Sequence, residues 1–267
     1  MPELADVRIA CLGSGIMGGL LVKQLVGSGV VPATNMVCSD TDEAKLAELA
    51  GSLGVRVTQE NAEAAAIGDV VIVAVPPPAV LPVLSEISPA LRAGKMIVSV
   101  AAGVTLGAMR QAVPDGVQLA RVMPNTPSLV GEGMNTFVCA PGMPQDLRMV
   151  LEAMLEVWGE SLEIDEGLLN AFCALLAVGP TYLLPLAGQL IESAQSAGIS
   201  ASDARVSTAQ LFVGVGALLR DTDIDADALL NMISMQPMDA VAARKLIADA
   251  YSAVSGKLAE VQSKLSG

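Results

Sequence analysis

Short apolar runs separated by amphipathic or turn-rich stretches organise the first 164 residues. Val7 to Leu12 (VRIACL), Met36 to Ser39 (MVCS), Val70 to Val75 (VVIVAV) and Met96 to Val100 (MIVSV) are continuous and rich in β-branched residues. Continuous runs of this length belong to parallel strands covered on both faces. Between them lie stretches such as DEAKLAELAG, in which Leu46, Leu49 and Ala50 recur at helical spacing. Strand–helix repetition of this kind predicts a doubly wound α/β domain over residues 1–164. From Asp165 the strand signal stops. Ala/Leu-rich helical patterns follow over Leu168 to Ala197, Ser202 to Leu219, Ala226 to Ile233 and Met238 to about Leu265, with Ser202 and Asp225 as expected N-caps. Residues 165–267 therefore form an all-helical second domain.

Two of these helical stretches are more apolar than a small domain can bury. Val206 to Leu219 is apolar nearly all round, which means core or interface. Gly167 to Ile191 carries no charge and is long enough to span a bilayer. It also holds Gly179, Pro180, Pro185, Gly188 and the polar Asn170, Thr181 and Gln189, with no basic flank, and the expectation is a core or subunit-interface helix pair with no membrane.

Charge and composition narrow the chemistry. Lys and Arg total 15 against 28 Asp and Glu, a net charge of −13, and aromatics make up 2%, which argues against a nucleic-acid partner. There is no histidine, so Ser-His-Asp and Cys-His catalysis and most zinc sites are excluded, and no metal is expected. Cys11, Cys38, Cys139 and Cys173 are scattered without Cys-x-x-Cys spacing and read as reduced thiols in a cytoplasmic protein. The opening MPELADVRIA is acidic, runs straight into a strand and does not read as a signal peptide.

The most informative loop follows the first strand. Gly13-Ser14-Gly15-Ile16-Met17-Gly18 opens a helix through Leu20, Leu21, Leu25 and Val26. Gly13 permits the tight turn, Gly15 admits a pyrophosphate, and Gly18 lets helix and strand pack closely, the pattern of a Rossmann-type dinucleotide site. The helix N-terminus adds free N–H groups and partial positive charge. The second strand ends at Ser39 and Asp40, and Asp40 is placed to accept from the adenosine ribose hydroxyls and to repel a 2′-phosphate. Ser39 and Lys45 could assist a phosphate, but no arginine follows, so NADH is favoured over NADPH; alternatively Asp40 merely caps the next helix. Val75, Pro76 and Pro77 end the strand of Val70 to Val75, where they wall a nicotinamide ribose or serve only as a rigid connection.

With IVSVAAGVTL (Ile97 to Leu106) and RVMPNTPSLVGEG (Arg121 to Gly133) in view, the chain resembles the pyrroline-5-carboxylate reductase family over nearly its whole length. Ala101, Ala102 and Gly103 and the MPNTP of Met123 to Pro127 carry the closest match, and Glu166 and Gly179 to Tyr182 fall where the family has the start of its helical domain and its GPAY element. The resemblance implies that Pro124, Asn125 and Thr126 lie beside the nicotinamide. It also implies that the helical domains interlock as a dimer or an assembly of dimers, with the active site between nucleotide and helical domains, and that the substrate is a small cyclic imine.

The helical domain departs from the pattern. Where the family has SGSGPAY this chain reads Leu176 to Tyr182, and where it has SPGGTT this chain reads Ser234, Met235, Gln236, Pro237, Met238 and Asp239. Asn170 replaces the usual acid after Glu166. An anionic Asp239 would repel an anionic substrate. The alternatives are another cyclic imine, the ordinary reaction through backbone contacts, or a nucleotide-binding paralogue without turnover. Reduction of a protonated C=N bond needs no strong acid, which fits a chain without histidine; Thr181, Tyr182, Ser234 and Asp239 are the expected substrate-side residues, and Lys95, at the start of a strand, is expected to point to solvent. A 3-hydroxyacid dehydrogenase shares the general layout, but no lysine occurs between Leu168 and Ala197 to serve as its catalytic base.

Overall fold

A computed structural model describes residues 4–265 of the chain. Residues 1–3 and 266–267 lie outside that range. A single 3₁₀ turn, Leu4–Asp6, precedes the first strand. The strands are β1 (Ile9–Leu12), β2 (Met36–Ser39), β3 (Arg56–Thr58), β4 (Val70–Val73), β5 (Met96–Ser99), β6 (Gln118–Met123), β7 (Gly133–Cys139) and β8 (Gly159–Glu163). The helices are α1 (Ile16–Gly27), α2 (Glu43–Leu53), α3 (Asn61–Ile67), α4 (Pro77–Ile87), α5 (Leu106–Ala112), α6 (Gln145–Trp158), α7 (Leu169–Phe172), α8 (Pro180–Ser196), α9 (Ala201–Asp221), α10 (Ala226–Asn231) and α11 (Ala240–Leu265).

The sheet runs β3-β2-β1-β4-β5-β6-β7-β8. β1 to β6 pair in parallel in the doubly wound order, β7 is antiparallel to β6, and β8 is parallel to β7. Both faces are covered, which is why the strands could be continuous apolar runs. Ile9 and Cys11 enter one core with Leu21, Leu25, Leu151 and Trp158, while Ala10 and Leu12 enter the other with Ala64, Leu84 and Met109. Trp158 is fully buried and donates its indole N–H to the Leu21 carbonyl at 3.2 Å, pinning α6 to α1.

Contacts divide the chain into two compact units. One runs to Ala177 and includes the chain from Val254 onward; the other is Val178–Ala253. In the second unit α8 and α9 pack together. Ser200, not Ser202, caps α9 by accepting from the Asp203 N–H at 3.1 Å, and Ser202 is already inside the helix. Asp225 caps α10, accepting from Ala228 N–H at 2.8 Å. The apolar stretch Glu166–Ser196 is long enough to cross a membrane, but it is broken into a 3₁₀ turn, α7, a π-turn at Cys173–Ala177 and α8, so it is not one regular helix.

Lys95 corrects the expectation of a solvent-facing side chain. It is 2% exposed, and its ammonium donates to the carbonyls of Ala65, Ala66 and Gly68 at 2.6, 2.9 and 2.5 Å. Those carbonyls close α3, whose last turn lacks helical partners and attracts a cation. Burial, with Arg92 adding repulsion, pushes the Lys95 pKa below its ordinary value. Lys95→Met removes the cost of burying charge but orphans three carbonyls; the expected net loss is about 2 kcal/mol in denaturant unfolding.

Candidate active site: a nucleotide cleft and its supporting turn

The cleft lies where the sheet order reverses, between the C-terminal ends of β1 and β4. It encloses about 650 Å³, in the size class of a ligand site. Gly13, Gly15, Ile16, Met17 and Asp40 line one side, and Val75, Pro76, Pro77, Ala101 and Ala102 the other. Thr41, Lys45, Asn61, Ala74, Ala79, Val83 and Val100 complete the lining. Asn61 was not legible from sequence: it opens α3 after a neighbouring strand, without a motif to mark it.

The glycines differ in what surrounds them. A Cβ on Gly13 (φ +95°) would stand 2.7 Å from the Ala74 carbonyl oxygen, and one on Gly18 only 2.0 Å from that of Gly13. A Cβ on Gly15 would meet nothing within 4 Å. Two glycines are thus demanded by the protein's own packing, and the third faces open cleft at the N-cap of α1. No side chain among the described residues caps that helix, leaving its first turn to a ligand. These features fit a pyrophosphate, and the residues present are those that would hold one.

Asp40 does not cap the following helix. Its two oxygens accept from Ser14 N–H at 2.7 Å and Asp42 N–H at 2.9 Å, so the carboxylate is fixed by the glycine loop at the cleft wall. The cap of α2 is Asp42, which accepts from Ala44 and Lys45 N–H groups; those bonds hold its pKa below the ordinary carboxylate range. Ser14 and Ser39 support the loop from behind: Ser14 Oγ donates to the Ser39 carbonyl at 3.4 Å, and buried Ser39 donates to Asn61 Oδ1 at 2.8 Å. The strand expected to reach Val75 ends at Val73, because Pro76 and Pro77 start α4 at its N-cap and N1 positions. The residues released from the sheet, Ala74 and Val75, line the cleft instead.

The Met123–Pro127 turn is held by its own side chains. Pro124 and Asn125 are buried and Thr126 is exposed. Asn125 Oδ1 accepts from Met134 N–H at 3.1 Å, Ser128 donates to Asn135 Oδ1 at 3.1 Å, and Asn135 donates to the Glu160 carbonyl at 3.1 Å. Gln24 of α1 donates to the Leu129 carbonyl, tying the turn to the helix that begins at the glycine loop. Just before the turn, Arg121 is the charged residue of β6, whose other residues are apolar except Gln118. Its guanidinium donates at 2.7 Å to Glu166 Oε1, which also accepts from Leu106 N–H at 2.7 Å. That junction was missed, although a lone arginine in a largely apolar strand was its visible signal.

Thr181, Tyr182, Ser234 and Asp239 belong to the second compact unit. Thr181 Oγ1 donates to the Val178 carbonyl at 2.7 Å at the start of α8, and Ser234 is exposed. Asp239 accepts from the N–H groups of Val241 and Ala242, both at 3.0 Å, and so occupies the N-cap of α11. Gln236 closes α10 by donating to the Leu230 and Ile233 carbonyls.

Comparison with known proteins agrees with this layout. Residues 8–103 match a family described as NADP oxidoreductase, coenzyme F420-dependent, and residues 166–256 match pyrroline-5-carboxylate reductase dimerisation. Pyrroline-5-carboxylate reductase of Methanosarcina acetivorans is 30% identical over 86% of both chains, and that of Corynebacterium melassecola 31% identical over 88% of both. The chain belongs to the pyrroline-5-carboxylate reductase family. Its fold is shared with a Plasmodium falciparum pyrroline carboxylate reductase solved with NADP bound, at a TM-score of 0.83 and 22% identity over 96% of this chain and 98% of that one. Family membership makes the chain an NAD(P)-dependent oxidoreductase with a Rossmann-type domain and a helical dimerisation domain.

Proposed function

We propose that the chain reduces the C=N bond of a small cyclic imine, 1-pyrroline-5-carboxylate being the first candidate and proline its product, with NADH favoured over NADPH. The glycine cradle at the switch point, with an open position at Gly15 between two closed ones, carries this reading. When bound, the dihydronicotinamide supplies the hydride. The iminium nitrogen already carries its proton and would take up the C=N π pair as the carbon is reduced. No side chain has to donate a proton at that moment, which accords with the absence of histidine. The protein's task is orientation and exclusion of water. Gly15 and the first turn of α1 would hold the pyrophosphate, Asp40 the adenosine ribose, and Val75 to Pro77 with Ala101 and Ala102 the nicotinamide end. Asn125, with its carboxamide oxygen committed to Met134 N–H, has its NH₂ group to position ring or substrate.

The exposed leucines and valines of α8 and α9, among them Leu183, Leu184, Leu211 and Val215, support a homodimer in which these faces are covered. Four free cysteines support a cytoplasmic setting. A second reading, a changed imine without a carboxylate, is favoured by the loop at 234–239, which lacks the glycines and threonines of the resembling pattern. The cap formed by Asp239 offers a plainer reason for that residue. Absorbance at 340 nm with NADH or NADPH, against pyrroline-5-carboxylate and carboxylate-free pyrrolines, separates the readings. The expected result is turnover of pyrroline-5-carboxylate, changed less than about twofold by Asp239→Thr, since both residues cap helices well. A large gain on that substrate in Asp239→Thr would mean the carboxylate excludes anions. Asp40→Ser is expected to move the NADPH:NADH ratio of kcat/KM up by about tenfold, the scale of about 1.4 kcal/mol of relieved repulsion.

A further inference from the structure

We infer that the end of α11, from Leu258 to Gln262, positions the wall of the cofactor cleft by clamping the Ala101–Gly103 loop, and it rests on reading the cleft as a nicotinamide-nucleotide site. All the contacts lie inside one compact unit. Gly103 has φ +81°, and a Cβ built on it would stand 3.0 Å from Val261 Cγ1 and 3.6 Å from the Gln262 backbone nitrogen. The helix therefore reaches the loop's own backbone. Leu258 packs against the small apolar cluster of Met123, Val138, Leu169 and Cys173, on which Ala102 also rests. Asn170 donates through Nδ2 to Gln262 Oε1, fastening the helix end to the segment that follows Glu166.

The loop needs such backing. Ala101 and Ala102 line the cleft, yet alanine and glycine bring almost no side chain with which to fix themselves. The side-chain bond from Ala101 N–H to Ser99 Oγ is long, at 3.4 Å. The position of this wall is thus set by what packs behind it, and hydride transfer is sensitive to small displacements of the reacting pair. The pair also accounts for Asn170, which stands where the resembling family carries an acid: a neutral amide there matches the neutral amide of Gln262. Asn170, Val261 and Gln262 are positioning residues, none of them lining the cleft.

Val261→Ala and Gln262→Leu in the full chain test this, with nucleotide Kd from isothermal titration calorimetry, the kcat and KM split, and Tm. Each variant is expected to raise the Kd and KM for the nicotinamide nucleotide about fivefold, within the range of couplings carried through packed side chains. Asn170→Asp is expected to lose affinity alone and to regain it when combined with Gln262→Lys, which rebuilds the link as an ion pair. An unchanged Kd in both single variants, whatever happens to Tm, overturns the clamp. Gln262 is half-buried near the chain end, so Gln262→Leu decides the matter even where Val261→Ala does not fold. Should the unaltered chain bind neither NADH nor NADPH, the reading of the cleft itself fails, an outcome distinct from wild-type binding that the variants leave untouched.

Discussion

Gly15→Ala folds and loses its nucleotide, whereas Gly18→Ala loses the fold of the loop itself. Gly15 sits at φ −66° and ψ −169°, a backbone that alanine adopts freely, and its added methyl meets no atom of the described residues within 4 Å. The cost to the protein is that of alanine replacing glycine at an N-cap, under about 1 kcal/mol, so Tm falls by no more than about 3 °C. The methyl instead fills the space a pyrophosphate must occupy against the helix N-terminus. The expected loss of NADH affinity is about 100-fold, or about 2.7 kcal/mol. In Gly18→Ala the new Cβ would stand 2.0 Å from the Gly13 carbonyl oxygen and 3.0 Å from Ala74 Cβ. Helix and strand must separate there, at about 3 kcal/mol, the upper end of overpacking costs. Calorimetric titration and thermal unfolding on the two variants distinguish the cases. Wild-type NADH affinity in Gly15→Ala would remove the pyrophosphate from this cleft.

Where burial on both faces dictates the side chain, the sequence was easy to read. β1, β2, β4 and β5 are written as unbroken apolar runs because helices cover the sheet on either side. β3 and β8 are harder: each is an edge strand, one of three residues and the other largely exposed, so neither carries a hydrophobic signature. The glycine loop was legible because its spacing states a packing requirement. Features that depend on residues far apart in the chain were not. Lys95 looks like any charged residue before a strand until the end of α3 is brought to it. Asp239 was read as a charge facing a substrate, and the backbone of α11 makes it a cap. Choosing between Ser200 and Ser202 required knowing which hydroxyl reaches a free N–H, and the pattern ISAS allows both.

The Arg121–Glu166 junction is the extreme case of such long-range dependence, and it sets the largest expected stability effect. Arg121 has 4% of its side chain exposed against 31% for Glu166, so the guanidinium is the charge that cannot recover water. Its Nε is buried without a partner among the described residues, which leaves Glu166 as the main compensation. The same oxygen of Glu166 accepts from Leu106 N–H, the first residue of α5. Glu166→Leu therefore strands a buried cation and an N–H of α5 together, and the expected loss is about 3–5 kcal/mol. For a chain of this size that lowers Tm by about 10 °C. Glu166→Gln keeps an acceptor for both donors and is expected to cost about 1–2 kcal/mol, the difference being the charge alone. Arg121→Met leaves the more exposed partner, which water can reach, and should cost less than Glu166→Leu; the double variant Arg121→Met, Glu166→Leu should be more stable than Glu166→Leu by itself. A double-mutant cycle in urea checks this order. Additive losses would mean that the two side chains do not act as a pair. Because Arg121 leads directly into the Pro124–Thr126 turn and Leu106 follows the Ala101–Gly103 loop, Glu166→Leu should also lower kcat at saturating nucleotide, as both segments lose a common anchor.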